Sequence, residues 1–238
     1  MIMKVNFFPE FEQTMISNSD PTGMSSPVIC QPYSQLDGKF LEFIVENEGQ
    51  PNALVELGER YHFGVDGFEQ DYDKAFYYLK KAADCGSPEA LFMVADYYRL
   101  GHAVAKDYTK YFYYLEKAAD AGSYMAWMNM ATAYHFGKER YEGFGYEQNE
   151  EQCVQCNINA VSCIEIYWER YTQRNFVGYQ GLVQRLFDCY VQNIDLISQY
   201  YEQRDKSEAR RWLNKGNDFV LKACGKTHLM FDKALSEL

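Results

Sequence analysis

The amino-acid sequence predicts an all-α chain, an α-solenoid or superhelix of antiparallel helix pairs, on three observations. Leu79-Lys80-Lys81-Ala82-Ala83-Asp84-Cys85-Gly86-Ser87 returns 36 residues later as Leu115-Glu116-Lys117-Ala118-Ala119-Asp120-Ala121-Gly122-Ser123, with seven of nine positions identical. Tyr61-His62-Phe63-Gly64 returns as Tyr134-His135-Phe136-Gly137, with Tyr98-Arg99-Leu100-Gly101 between them. Self-similarity at such a period marks a repeat architecture. The composition agrees: 6 Pro in 238 residues leaves room for long helices, and 47% hydrophobic residues can fill a core.

Each repeat reads as two helices. Helix A of the first clear unit is expected from about Asn52 to Phe63, with Ala53, Leu54, Leu57, Gly58 and Tyr61 at the spacing of one buried stripe. Gly58, and Ala95 and Ala131 after it, are small enough to let a neighbouring helix come close. Gly64, Gly101 and Gly137 suit the left-handed conformation that ends a helix. Helix B is expected to start near Asp71 and again near Asp107, where Asp caps free N–H groups. It runs through Ala75, Tyr78, Leu79, Ala82 and Ala83 to Gly86, and Ser87-Pro88 then caps and opens the next helix A.

Phe40 to Gly49 reads as the second helix of a preceding half-repeat, because Gly49-Gln50-Pro51-Asn52-Ala53 parallels Gly86-Ser87-Pro88-Glu89-Ala90. Lys138 to Gly145 is an enlarged turn. Glu150 to Arg174 and Tyr179 to Gln203 read as long helices, and Glu208 to Gly216 echoes Lys74 to Ala82 as a degenerate last unit, the kind an array needs to cap its apolar end. Residues 1–35 have no helical period and form an N-terminal arm, flexible or packed along the array. The expected division is therefore this arm, repeats over 36–137, and degenerate repeats with capping helices over 138–238, continuous with the array.

The pattern resembles the Sel1-like (Sel-one-like) repeat, a relative of the tetratricopeptide repeat with a longer turn between its helices. The matching residues are Ala53-Leu54, Leu57-Gly58, Tyr61, Gly64-Val65, Asp71, Lys74-Ala75, Tyr78-Leu79, Lys81-Ala82-Ala83 and Gly86, most of them repeated from Ala90 to Gly122, with Met130-Ala131, Tyr134 and Gly137 in a third unit. The resemblance implies recognition: an adaptor or scaffold that holds a protein or peptide on a concave face made by helices A. Carried over from tetratricopeptide arrays, the contact positions are Asn52, Val55, Glu59 and His62, then Glu89, Phe92, Asp96 and Arg99, then Met125, Met128, Thr132 and His135. Phe92, Met125 and Met128 would be apolar anchors, and truncating Phe92 should then remove on the order of 1–4 kcal/mol of binding with little effect on stability. Leu79 should be core, so that Leu79→Ala removes roughly 2–5 kcal/mol of stability.

Charge and motifs bound the function. A net charge of −11 repels nucleic acid and favours a basic partner. No apolar run approaches the roughly 20 residues needed to cross a bilayer, and Met1 to Glu10 lacks the long apolar stretch of a signal peptide, so a cytoplasmic location with reduced thiols is expected. No nucleotide loop, nucleophile elbow, zinc-protease helix or paired-acid arrangement occurs, so neither catalysis nor a cofactor is expected. Two alternatives stand beside the scaffold. One is an inhibitor or immunity protein that masks a toxin's active site. The other is a thiol or zinc protein built on Cys153-x-x-Cys156 and Cys224-x-x-x-His228. Against the latter, Cys153, Cys156, Ala160, Cys163 and Tyr167 fall on one apolar helix face, where Cys acts as a small hydrophobe. His62 and His135 lack a second ligand on their own helices, so no metal is expected there.

Overall fold

The computed structural model describes Tyr33 and residues 36–172 and 180–238. The remainder of the expected arm, and the expected helix ends at residues 173–174 and 179, lie outside the described residues. Among the described residues the chain has ten α-helices and no strand: α1 (Gly38–Glu48), α2 (Pro51–Phe63), α3 (Tyr72–Asp84), α4 (Pro88–Leu100), α5 (Tyr108–Asp120), α6 (Tyr124–Phe136), α7 (Glu150–Thr172), α8 (Gln180–Glu202), α9 (Lys206–Cys224) and α10 (Leu229–Glu237). They fall into two compact units, one ending at Ser123 and one running from Tyr124 to Leu238. The expected all-α order of paired helices is the one observed.

In the first unit each helix packs on its neighbour in sequence, α1 on α2, α2 on α3, α3 on α4 and α4 on α5. The helix boundaries follow from cap chemistry. The Asp71 and Asp107 carboxylates accept from the Lys74 and Lys110 N–H groups, each at 3.0 Å, at the starts of α3 and α5. Ser87 Oγ accepts from the Ala90 N–H at 3.3 Å, with Pro88 at the first position of α4. Gly64 and Gly101 close α2 and α4 at φ 66° and 77°, where their N–H groups return to the Arg60 and Tyr97 carbonyls. Gly137 departs from this expectation: its φ of 68° comes with a ψ of −170°, so the chain leaves α6 extended rather than in a left-handed turn. That exit feeds the enlarged turn.

One backbone bond closes every A–B turn. The N–H of the capping residue donates back to a tyrosine carbonyl, Asp71 to Tyr61 at 2.8 Å and Asp107 to Tyr98 at 2.9 Å in the first unit, and Asn149 to Tyr134 at 2.9 Å and Asp205 to Tyr201 at 2.7 Å in the second. Three of these tyrosines, Tyr61, Tyr98 and Tyr134, also stack. Tyr61 lies on Tyr78 (5.9 Å, 10°) and Tyr98 on Tyr114 (5.6 Å, 7°), with Lys74 Nζ 4.9 Å from the Tyr61 ring centre and Lys110 Nζ 5.0 Å from that of Tyr98. In the second unit Tyr134 stacks instead on Tyr146, which comes from the long turn (4.2 Å, 14°). The turn thus supplies the ring that helix B supplies elsewhere, and a Lys138–Glu147 ion pair at 2.6 Å spans its base.

Helices A and B are buried unequally. Helix α3 buries only Ala75, Leu79, Ala82 and Ala83, and α2 buries every residue from Ala53 to Arg60 and His62 besides. Gly58 lets α3 come close to α2: an added Cβ there would lie 2.7 Å from Leu79 Cγ and 3.3 Å from the Ala75 carbonyl. In the second unit α7 packs on α6 and α8, and α9 on α8 and α10. Gly216 is the counterpart of Gly58 in its effect, since a Cβ there would meet Phe231 of α10 and Ile194 of α8. Asn217 ties α10 down, donating to Asp232 Oδ1 (2.8 Å) and accepting from the His228 N–H (3.0 Å).

Candidate functional site

The expected contact residues lie on helices A: α2 and α4 in the first unit, α6 in the second. On α2, Val55 is 1% exposed, and Glu59 and His62 are also buried, while Asn52 is half-buried. On α4, Phe92 is 2% exposed, and Glu89, Asp96 and Arg99 are half-buried. The outward placement expected for Val55, Glu59, His62 and Phe92, and for Met125 on α6, is therefore corrected: all five are buried side chains. On α6, Met125 is buried, Met128 and Thr132 are half-buried and His135 is exposed. Thr132 Oγ1 donates to the Met128 carbonyl at 3.0 Å.

Two polar arrangements on α2 escaped the sequence reading: the burial of Arg60 with Glu56, and the link that His62, itself an expected contact residue, makes to the next repeat. Arg60 is 1% exposed, with its Nε donating to Glu56 Oε1 at 2.8 Å, one turn back on α2, and Asp66 at 3.6 Å. Its Nη2 donates to the Tyr33 carbonyl at 3.0 Å, which also accepts from the Leu36 N–H. Tyr33 itself is 3% exposed and packs with Leu41, Ile44, Ala53 and Leu57. Phe68, from the A–B turn, presses on Gly38, so the start of α1 and Tyr33 ahead of it are both held against the first repeat. A Glu–Arg pair four apart was the available signal.

The second group joins repeats. His62 Nδ1 and Tyr97 Oη lie 2.7 Å apart, linking α2 to α4, and the His62 ring also meets Tyr72 of α3 and His102 of the following turn. His102 stacks on Tyr72 at 4.4 Å. Burial holds the His62 pKa below the usual 6.5, the charge of His102 adds to that, and Asp96 opposes it. Folded His62 therefore takes its proton at lower pH than the unfolded residue, and the unfolded state binds more protons between the two values. Its contribution to stability is complete above the unfolded value near pH 6.5 and is lost as pH falls below it. Denaturation measured from about pH 7 to 5 should show the wild type losing stability more steeply than His62→Gln, in which this titration is gone.

The polar, half-buried part of the face is the Glu89, Asp96 and Arg99 row of α4, in which Arg99 Nε donates to Asp96 Oδ1 at 2.6 Å. The cysteine face reads as expected for packing. Cys156 is buried, Cys153 and Cys163 are half-buried, and Ala160 of the same stripe is fully buried. Burial pushes the Cys153 and Cys163 thiols up and the Cys156 thiol up to about 12, which keeps them protonated and poor nucleophiles at neutral pH. Among the described residues no group of three or more His, Cys, Asp or Glu side chains is placed to hold a metal, and no helix is long and apolar enough to cross a membrane.

Comparison with known proteins bears on the helix pairs. The model of the Sel1 repeat matches residues 51–87, 88–123 and 198–218. The first two matches are the pairs α2–α3 and α4–α5, and the third covers the end of α8 and most of α9. The chain is 33% identical over 65 residues to the Arabidopsis thaliana ERAD-associated E3 ubiquitin-protein ligase component HRD3A, a stretch amounting to 27% of this chain and 9% of that protein. The crystal structure of a Sel1 repeat protein from Oxalobacter formigenes superposes with a TM-score of 0.59 at 21% identity, over 89% of this chain and 52% of its own. That of c5321, a protective antigen of uropathogenic Escherichia coli with an SLR fold, gives 0.46 at 19% identity, over 84% and 48%. This chain thus spans about half the length of those two solved structures and a small part of HRD3A.

Proposed function

Since this chain carries Sel1 repeats, which are typically protein–protein interaction scaffolds, we propose that it holds a protein or peptide partner on the helix-A side of its repeats. The observation that carries this reading is that two successive matched repeats, α2–α3 and α4–α5, leave polar side chains of helix A accessible although Val55 and Phe92 are buried there. On α4 these form the half-buried polar row Glu89, Asp96 and Arg99. Asn52, half-buried on α2, adds to this row. With a chain charge of −11, the partner is basic and its encounter is steered by charge, so its association slows as salt rises. Sel1-repeat proteins are generally non-catalytic, and the function needs no cofactor. The cytoplasm, where its thiols stay reduced, is the proposed location.

The test is a comparison of wild type with the double charge reversal Glu89→Lys, Arg99→Glu. Both proteins are used as bait in lysate of the source cells, and the captured partner is then titrated in purified form. The expected result is one partner held by wild type and bound at least tenfold more weakly by the variant, a loss of about 1.4 kcal/mol or more. Equal binding by both would remove the α4 row from the contact.

A further inference from the structure

Helix B turns a narrow stripe inward and leaves the rest of its surface to solvent. On the outer side of α3 and α5 two large rings stand in the open, Tyr77 at 53% exposure and Tyr113 at 51%. A lysine one turn on covers each ring, Lys81 Nζ at 4.4 Å from the centre of Tyr77 and Lys117 Nζ at 4.6 Å from that of Tyr113. The other lysines of these helices are matched to acids, Lys74 to Asp71, Lys80 to Asp84 and Lys110 to Asp107. Among the described residues Lys81 and Lys117 are in no ion pair, and neither are the exposed acids Asp73 and Asp120. The order of these charges is informative. Asp73, Tyr77 and Lys81 stand at i, i+4 and i+8, an exposed row about 12 Å long that reads acid, ring, base. Turned end for end, this row is its own complement: acid faces base at both ends, and ring faces ring in the middle.

We propose that this face binds a second copy of the chain. The contact is a two-fold one in which Asp73 of each copy meets Lys81 of the other and the two Tyr77 rings pack at the axis. A contact of one patch with itself closes at two copies and forms no filament. Helix α5 lies beside the row, with Lys80 Nζ 5.8 Å from the centre of the Tyr114 ring, so Tyr113 and Lys117 border the contact. Charge singles out this surface. The chain carries −11, which opposes self-association, but α3 and α5 together hold five lysines against four acids. Exposed tyrosines suit the role, since interface cores are enriched in them. The contact uses the helix-B side and leaves the Glu89, Asp96 and Arg99 row of α4 to an outside partner.

The experiment is sedimentation equilibrium of the full chain, wild type against Asp73→Lys and Lys81→Asp. Each variant makes the row repel itself, and because both positions are exposed, circular dichroism should show an unchanged fold. The expected result is a wild-type dimer at tens of micromolar, with each variant alone associating at least tenfold more weakly. An equimolar mixture of the two variants should then regain the dimer, because a row with two bases faces a row with two acids. A wild type that stays monomeric at that concentration would overturn the proposal. Variants that dimerise like wild type, or a mixture that stays monomeric, would equally overturn it.

Discussion

Phe92→Ala should remove about 3–5 kcal/mol of folding stability, the range for truncating a buried aromatic side chain. The sequence reading, which took Phe92 for a surface anchor, expected a loss of binding with the fold nearly intact. Burial decides between the two: at 2% exposure Phe92 is as interior as Leu79, at 0%, and Leu79→Ala at roughly 2–5 kcal/mol is the proper yardstick. Chemical denaturation of the two variants side by side checks this. A Phe92→Ala protein within about 0.5 kcal/mol of wild type, as surface substitutions are, would mean that Phe92 is free in solution and the first unit's helix-A face is open.

Arg60→Leu should be comparably severe, at about 3–5 kcal/mol, because it strands a charge rather than leaving a void. Glu56 is 5% exposed and lies 2.8 Å from the guanidinium, so losing the cation leaves a carboxylate in the interior with its main partner gone. The Tyr33 carbonyl loses a donor in the same step. The double variant Glu56→Leu, Arg60→Leu should recover part of the loss, since two apolar side chains of similar volume can replace a buried pair at little penalty. A double-mutant cycle measures that recovery. Strictly additive losses would show that Arg60 acts through Tyr33 and not through Glu56.

These two residues also mark where the sequence stops being legible. Backbone punctuation was readable because each signal is local: Asp71, Ser87 and Asp107 cap helices through their own side chains, and Gly64 and Gly101 end them through their own torsions. The repeat fixed the pairing, since Gly58 and Leu79 can meet only if α2 and α3 run antiparallel. Burial of the outer positions of helix A was not readable, because periodicity reports one stripe and cannot tell how many neighbours a helix has. Val55 and Phe92 were assigned by analogy with arrays whose helix-A side is open. Glu56 and Arg60 stand four apart, a spacing common on exposed helix faces, and their burial beside Tyr33 shows only in the fold. The link from His62 to Tyr97 spans repeats, a distance that no pattern within one helix encodes.

The long turn between α6 and α7 has a practical consequence. Its base is fastened by the Asn149-to-Tyr134 bond, the Tyr146 stack and the Lys138–Glu147 pair, and its tip, Glu142-Gly143-Phe144, is exposed. Lengthening a loop whose ends are already fixed adds only about 0.6 kcal/mol for each doubling. That tip is the natural graft point on this scaffold, where an epitope, a fluorophore-binding tag or a second recognition peptide could be spliced in without disturbing either flanking helix.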